Sequence, residues 1–287
     1  MLQGNQNGKV YHSQICRQLL TPFSEEGMLP VHMKKESTCV GQFGNQQHLR
    51  DWFHSTPGQA LLAQEQDCIE QLLSDLFGHY LIQLGFCDSA LDLSGVGRFR
   101  SHVVLDTCAK AVGASILGDA AQMPVATDCV DVVLMPHTLD FSSDPHQVLR
   151  EAERVLIPEG RLILLGFNPW SLWGLWHLAH RRSGAVPWCG QFLAQRRIHD
   201  WLSLLGFDVE KSRHFMFRPP LKRHGMMGRL EAMERLGQRY WPLLSGVYVI
   251  QAVKRVSTLT LVGVDWKARA RILGGQVVEP TTRQSNE

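Results

Sequence analysis

Apolar positions along the chain recur first at helical spacing and then in short runs. From Pro57 to Leu76 the residues Leu61, Leu62, Ile69, Leu72, Leu73 and Leu76 fall on one face of a helix, with Thr56 as N-cap, Pro57 in the first turn and Gly78 as the stop. The run Tyr80-Leu81-Ile82-Gln83-Leu84-Gly85 is brief, apolar and closed by glycine, which reads as a buried strand. Further strands are expected at Val103–Asp106, Ala114–Asp119 and Val130–Met135. Asp144-Pro145 then opens a helix in which Val148, Leu149, Ala152, Val155 and Leu156 share a face as far as Pro158-Glu159-Gly160. A strand at Arg161–Gly166, a helix at Arg197–Leu205 stopped by Gly206, a strand beginning at Phe207-Asp208-Val209-Glu210 and a last strand at Gly246–Lys254 complete the pattern. Continuously apolar strands alternating with amphipathic helices must be covered on both faces, so the chain is an α/β protein with a mostly parallel sheet.

Outside that pattern the character changes. Residues 1–50 are rich in Gln, Asn, Gly and Ser without a sustained period and read as a poorly ordered extension. The domain is expected over 51–257, with a Trp-rich insertion at 168–196, followed by a basic tail at 258–287. In that tail a strand is expected at Thr258–Val264 and disorder beyond Gly275. A composition of 44% hydrophobic and 20% charged over 287 residues excludes a wholly disordered or fibrous chain. No apolar run reaches the length of a transmembrane segment, and the first residues lack the apolar core of a secretory signal, so a cytoplasmic location is expected. The net charge of +2 conceals an asymmetry: residues 1–210 carry 15 basic and 22 acidic side chains, residues 211–287 carry 14 and 5. That basic end is a candidate contact for nucleic acid or anionic lipid, set against the commoner role of a solvated face. No nucleic-acid-binding module is recognisable, and aromatic residues are not interleaved regularly with the basic ones. Seven cysteines with no Cys-x-x-Cys pair argue against a disulfide framework or a zinc site and for reduced, packed thiols.

In a doubly wound sheet the ligand lies outside the carboxyl ends of the strands. Asp106 and Asp119 each end an expected strand. One alone would read as a turn or helix cap, whereas two at consecutive strands favour a nucleoside site. The segments Gly118-Asp119-Ala120-Ala121-Gln122-Met123-Pro124, Asp131 to Phe141, Asp144-Pro145 to Glu151, Arg154-Val155-Leu156 and Gly160-Arg161-Leu162 follow one another with a specific order and spacing. They resemble the central and distal part of a class I S-adenosylmethionine-dependent methyltransferase of the small-molecule, type 11 kind. Trp201-Leu202, Leu205-Gly206-Phe207 and Tyr248 are similar to that family's last helix and strand pair, so the resemblance spans residues 78–256. It implies a Rossmann-like, seven-stranded sheet with one antiparallel edge strand, S-adenosylmethionine as methyl donor and a small-molecule acceptor. It also implies donor contacts from Gln83, Gly85 and Cys87 around the first strand's loop, from Asp106 to the ribose, from Asp119 and Ala120 at the adenine, and from Pro136 in the step that faces the sulfonium. No metal is implied.

Two departures from that family stand out. The family has an acid and then Gly-x-Gly-x-Gly at the first strand, whereas Gln83 stands here for the acid and Gly85 is the one glycine kept in Gln83–Ser89. A rival placement, Ala90-Leu91-Asp92-Leu93-Ser94-Gly95-Val96-Gly97, has an acid and two glycines but leaves only Arg98–Ser101 before the next strand. A parallel crossover needs about a dozen residues, which favours the strand at Tyr80–Gly85. The second departure is the connection Thr107–Ser115, too short for the helix the family usually has there.

Transfer from a sulfonium asks for alignment more than for acid–base chemistry. His137 and Asp140 are candidate bases for an acceptor that must lose a proton. Their plainer alternatives are an imidazole bonded to a loop carbonyl and a helix or turn cap. Asn168-Pro169-Trp170 reads as a turn opening a helix at Ser171, closed by His180-Arg181-Arg182. Leu172, Trp173, Leu175, Trp176 and Leu178 cover much of that helix's circumference, which leaves three readings: an internal packing face, a lid or acceptor-pocket wall, and a membrane-surface helix. The expected function is methyl transfer. The other class is a protein of the same fold that has lost transfer and serves as a binding or regulatory module.

Overall fold

The computed structural model describes residue 49 and residues 51–85, 96–107, 115–180, 187–219, 241 and 244–256. The expectations for residues 1–50 other than Leu49, for Cys87, for Arg181-Arg182 and for the tail 258–287 lie outside those residues.

Helix α1 (Thr56–Ser74) is capped by Ser55 rather than by Thr56: the Ser55 hydroxyl accepts from the Gly58 amide at 3.4 Å and donates to the Trp52 carbonyl at 2.6 Å. Leu61, Leu62, Ile69, Leu72 and Leu73 are buried along one face, as their spacing requires. Gly78 does not stop this helix, which ends earlier. It lies within β1 (Phe77–Leu84), where a Cβ would come within 2.6 Å of the Asp131 side chain. Asp131 Oδ2 accepts from the amides of His79 and Tyr80 at 2.9 and 2.8 Å, so this glycine serves a close approach between neighbouring strands.

The remaining elements are β2 (Arg98–Asp106), β3 (Ile116–Leu117), β4 (Val130–Pro136), α2 (Pro145–Val155), β5 (Leu156–Phe167), α3 (Leu172–His180), α4 (Gln195–Leu204), β6 (Phe207–Phe215) and β7 (Val247–Lys254). They form one seven-stranded sheet in the order β3-β2-β1-β4-β5-β7-β6. Strands β1 to β5 pair in parallel, and β7 runs antiparallel to both β5 and β6. The single antiparallel strand therefore sits one place in from the edge, not at the edge as expected. Pairing of Phe77 with Arg98 settles the first strand: it is β1, and Ala90–Gly97 falls in the connection that follows it. The link from β2 to β3 spans only 107–115. Leu156, expected on the α2 face, instead opens β5. Glu159 takes φ +64° and the β4–β5 register shifts between Val130 and Val132, so the chain turns there without leaving the sheet.

Alternation along the strands separates the core into two layers. Ile82, Val133, Met135 and Leu164 face α2 and α4, meeting Val148, Leu149, Ala152, Ile198 and Leu202. Leu81, Val132, Leu134, Ile163 and Leu165 face α1 and Trp173. No helix among the described residues is long and apolar enough to cross a membrane. Cys68 and Cys189 are free thiols, but Cys129 is disulfide-bonded, so the expectation of reduced thiols throughout does not hold.

Candidate functional site

The carboxyl ends of β1, β2 and β4 lie side by side, with Gln83 opposite Leu134 and Leu84 opposite Leu105. Gln83 is buried, its Oε1 3.2 Å from His102 Nε2 on β2. Gly85 follows at φ +67°, its amide donating to the Leu105 carbonyl at 2.8 Å, a conformation in which any other residue would be strained. Asp106 ends β2 and Pro136 ends β4, both buried. Thr138 Oγ1 donates to the Leu84 carbonyl at 2.7 Å and so ties the loop after β4 to the end of β1. Asp119 and Ala120 lie just past β3. Asp119 is exposed, and its Oδ1 accepts from the Ala121 amide at 3.0 Å. The fold thus brings Gln83, Gly85, Asp106 and Pro136 to adjoining strand ends, with Asp119 and Ala120 beyond the next strand on the same side of the sheet.

The turn that carries Asp119 is held from α2. Arg154 donates to the carbonyls of Met123 at 3.1 Å and Val125 at 2.9 Å, and pairs with Glu151 at 2.8 Å. Glu151 Oε2 in turn accepts from the Met123 amide at 3.1 Å, and hydrogen bonding to Arg154 draws its carboxyl below the usual range. Arg154→Ala is expected to lower the unfolding free energy by about 1–3 kcal/mol, since carbonyls lose a charged donor. It should also speed amide exchange across residues 121–127, which hydrogen-exchange mass spectrometry would read.

His137 follows Pro136 directly and takes φ +52°, its amide still donating to the Leu165 carbonyl at 3.1 Å. That turn points the imidazole into the layer beneath the strand ends. Nε2 lies 2.7 Å from Glu65 Oε1 on α1, Nδ1 lies 3.0 Å from Asp140 Oδ2, and all three side chains are about 1% exposed or less. The ring stacks on Phe167, the last residue of β5, at 4.1 Å between centroids. Burial alone would lower the His137 pKa. The charges of Glu65 and Asp140 and the hydrogen bonds to both outweigh it and raise the value from 6.5 to about 9. Burial pushes the Asp140 carboxyl up, opposed by His137 and by the amides of Phe167 and Leu193. At neutral pH the His137 ring is an imidazolium, with both its nitrogens engaged by carboxyl groups.

Beyond β5 the chain folds back over this cluster. Asn168 and Ser171 make the expected turn: Asn168 Oδ1 accepts from Trp170 N at 3.0 Å and Ser171 Oγ from Gly174 N at 3.0 Å. A Cβ at Gly174 would lie 1.9 Å from the Pro169 carbonyl oxygen, so only glycine lets α3 start there. Trp173 is fully buried and donates to the Arg218 carbonyl at 2.7 Å. Phe192 stacks on Phe167 at 4.9 Å and on His177 at 4.2 Å. Pro169, Trp170, Phe192, Leu193, Ala194 and Arg197 line an open pocket against one wall of that stack.

A family model described as a methyltransferase domain matches residues 90–164, from the β1–β2 connection into β5. The uncharacterized protein YafS of Escherichia coli strain K12 is 33% identical over 186 residues, 65% of this chain and 72% of its own length. The demethylmenaquinone methyltransferase of Chlamydia pneumoniae is 28% identical over 112 residues, 38% of this chain and 44% of its own length. A solved S-adenosylmethionine-dependent methyltransferase from Thermotoga maritima superposes with a TM-score of 0.51 at 17% identity, covering 68% of this chain and 89% of that one. The chain belongs to the class I S-adenosylmethionine-dependent methyltransferases.

The methyl donor of such a methyltransferase is S-adenosylmethionine, which supplies an electrophilic methyl group on a sulfonium. The residues at the strand ends fit a nucleoside: two carboxylates, Asp106 and Asp119, suit hydroxyl and amine donors, and Gly85 lacks the Cβ that would obstruct a close backbone approach. Three residues that the structure places in or beside the His137 cluster escaped the sequence reading. Glu65 is an acid inside the apolar stripe of α1, flanked by Leu61, Leu62 and Ile69, and that break in the stripe was its one signal. Thr138 and Phe192 had no local signal at all.

Proposed function

We propose that the protein transfers a methyl group from S-adenosylmethionine to a small, largely apolar acceptor, the donor lying across the ends of β1 to β4 and the acceptor in the pocket beyond β5. The supporting observation is adjacency. The pocket wall Phe192 stacks on Phe167, and Phe167 on His137, the residue immediately after β4, so one aromatic stack links the pocket to the donor side. In this reading Asp106 accepts from the ribose hydroxyls and Asp119 from the adenine amine. Gly85 leaves room for the methionine part, and Pro136 borders the sulfonium. Gln83 takes the place of the usual acid, keeping the polarity without the charge. Ala120 provides a small surface beside the adenine.

His137, Asp140 and Glu65 act as positioning residues: the imidazolium and its two carboxyl partners fix α1, the end of β4 and the end of β5 against one another. Apolar pocket walls exclude water from the acceptor, and alignment of acceptor with donor supplies the acceleration.

Incubation with methyl-labelled S-adenosylmethionine and a cell extract tests the reading. Label is expected in the small-molecule fraction, whereas label confined to protein or nucleic acid would contradict it. Asp119→Ala is expected to weaken donor binding by about tenfold, the worth of one charged hydrogen bond, with the unfolding free energy lowered by no more than about 1 kcal/mol for the exposed turn bond to Ala121. Phe192→Ala should raise the KM for the acceptor and leave donor affinity intact.

A further inference from the structure

Helix α3 is apolar on both sides. Trp173 and Gly174 are buried, while Leu172, Leu175, Trp176 and Leu178 are 46, 65, 39 and 60% exposed. Trp170, in the turn before the helix, is 75% exposed. Leu172, Leu175 and Trp176 follow i, i+3, i+4 spacing and form a stripe turned away from the core. Eleven large hydrophobic side chains are exposed among the described residues, and five of them lie within 170–178, which makes this a patch rather than the ordinary scatter of a soluble surface.

Along the chain, the charge next to the patch has one sign. From Asn168 to His199 the chain holds four arginines, Arg181, Arg182, Arg196 and Arg197, and no Asp or Glu. Arg196 and Arg197 are exposed at the start of α4, and Arg197 also lines the pocket that Trp170 borders. A surface complementary to both features presents apolar material and negative charge in the same plane, which is what a bilayer with acidic headgroups offers. A nine-residue helix binds such a surface weakly by itself, and a basic neighbourhood supplies the second signal that lasting attachment needs.

We propose that the exposed stripe of α3, with Trp170 and the exposed Arg196 and Arg197, docks on an anionic membrane surface. Trp170 and Trp176 sit at headgroup level, where indole rings are favoured. The pocket then opens at the lipid boundary and the acceptor enters from the bilayer as a lipophilic molecule. That consequence rests on the function proposed above, whereas the docking does not.

Cosedimentation of the full chain with vesicles of phosphatidylcholine, alone or mixed with phosphatidylglycerol, tests the docking. Binding is expected only with the acidic lipid, weakened by salt. Arg196→Gln with Arg197→Gln should reduce it about tenfold or more, and Leu175→Glu with Leu178→Glu should abolish it. Both double variants should retain the wild type's cooperative thermal transition, which shows that they are folded. Absence of binding to either vesicle, or equal binding to both, would overturn the proposal. So would a dimer in light scattering that Leu175→Glu dissociates, since a second copy would then own the face. If vesicles bind but S-adenosylmethionine does not, the docking stands and the methyl-transfer reading falls.

Discussion

Replacing His137 with leucine is expected to lower the unfolding free energy at neutral pH by about 3–5 kcal/mol, the usual cost of removing one partner from a buried ionic cluster. The substitution leaves Glu65 and Asp140, both about 1% exposed, without their imidazole partner in an apolar layer. It also removes the ring on which Phe167 stacks. Urea unfolding reads the effect as a lower midpoint with an unchanged slope.

The same cluster fixes the sign of a pH dependence. The folded pKa of His137 is raised from 6.5 to about 9, so its contribution is fully present below pH 6.5 and is lost as the pH climbs towards 9. At about 1.4 kcal/mol per pH unit the full loss is of the order of 3 kcal/mol. Asp140, also raised, acts in the same direction beginning from lower pH. Wild-type stability should therefore fall between pH 6.5 and 9, and His137→Leu should remove the imidazole's share of that fall, leaving the one that burial of Asp140 causes from lower pH. A fall between pH 6.5 and 9 identical in wild type and variant would assign it to other groups.

Asp106→Ala is expected to weaken S-adenosylmethionine binding by about 10–100-fold, the worth of one or two charge-assisted hydrogen bonds. Asp106 is buried at the end of β2, one strand away from Gly85, where a carboxylate meets a ribose diol without having to be drawn out of bulk water. Asp106→Asn keeps one acceptor oxygen and should fall between wild type and Ala. Unchanged affinity in both variants would move the ribose elsewhere along the sheet.

What the sequence disclosed was mostly local. Asp144-Pro145 forecast the start of α2 because the cap is made within one turn, Asp144 Oδ1 accepting from Gln147 N at 3.0 Å. β4 and β7 were legible because both faces are covered and their runs are mostly apolar. Errors arose where a distant contact decides. Gly78 reads as a helix stop until Asp131 is seen against it, and Leu156 reads as helical until β4 pairs with it. Periodicity showed that α3 is apolar nearly all round, but not that Trp173 is the covered side and Leu175 the bare one.

The site divides in the same way. Asp106 and Asp119 could be named because they end strands, and strand ends are visible in a hydrophobic pattern, whereas Gly85 and Pro136 came from the family resemblance. His137 was visible as a residue but not in its environment, because Glu65 meets it from a helix 72 residues earlier in the chain. An imidazole offered to an acceptor and an imidazolium held between two carboxyl groups look alike in sequence.

Calorimetric titration of the folded wild-type protein with S-adenosylmethionine, and separately with S-adenosylhomocysteine, tests the donor site most directly, with Asp106→Ala as the comparison. One site in the micromolar range for both ligands, weakened in the variant, is the predicted result. A wild-type protein that shows a cooperative thermal transition yet takes up neither ligand would contradict it.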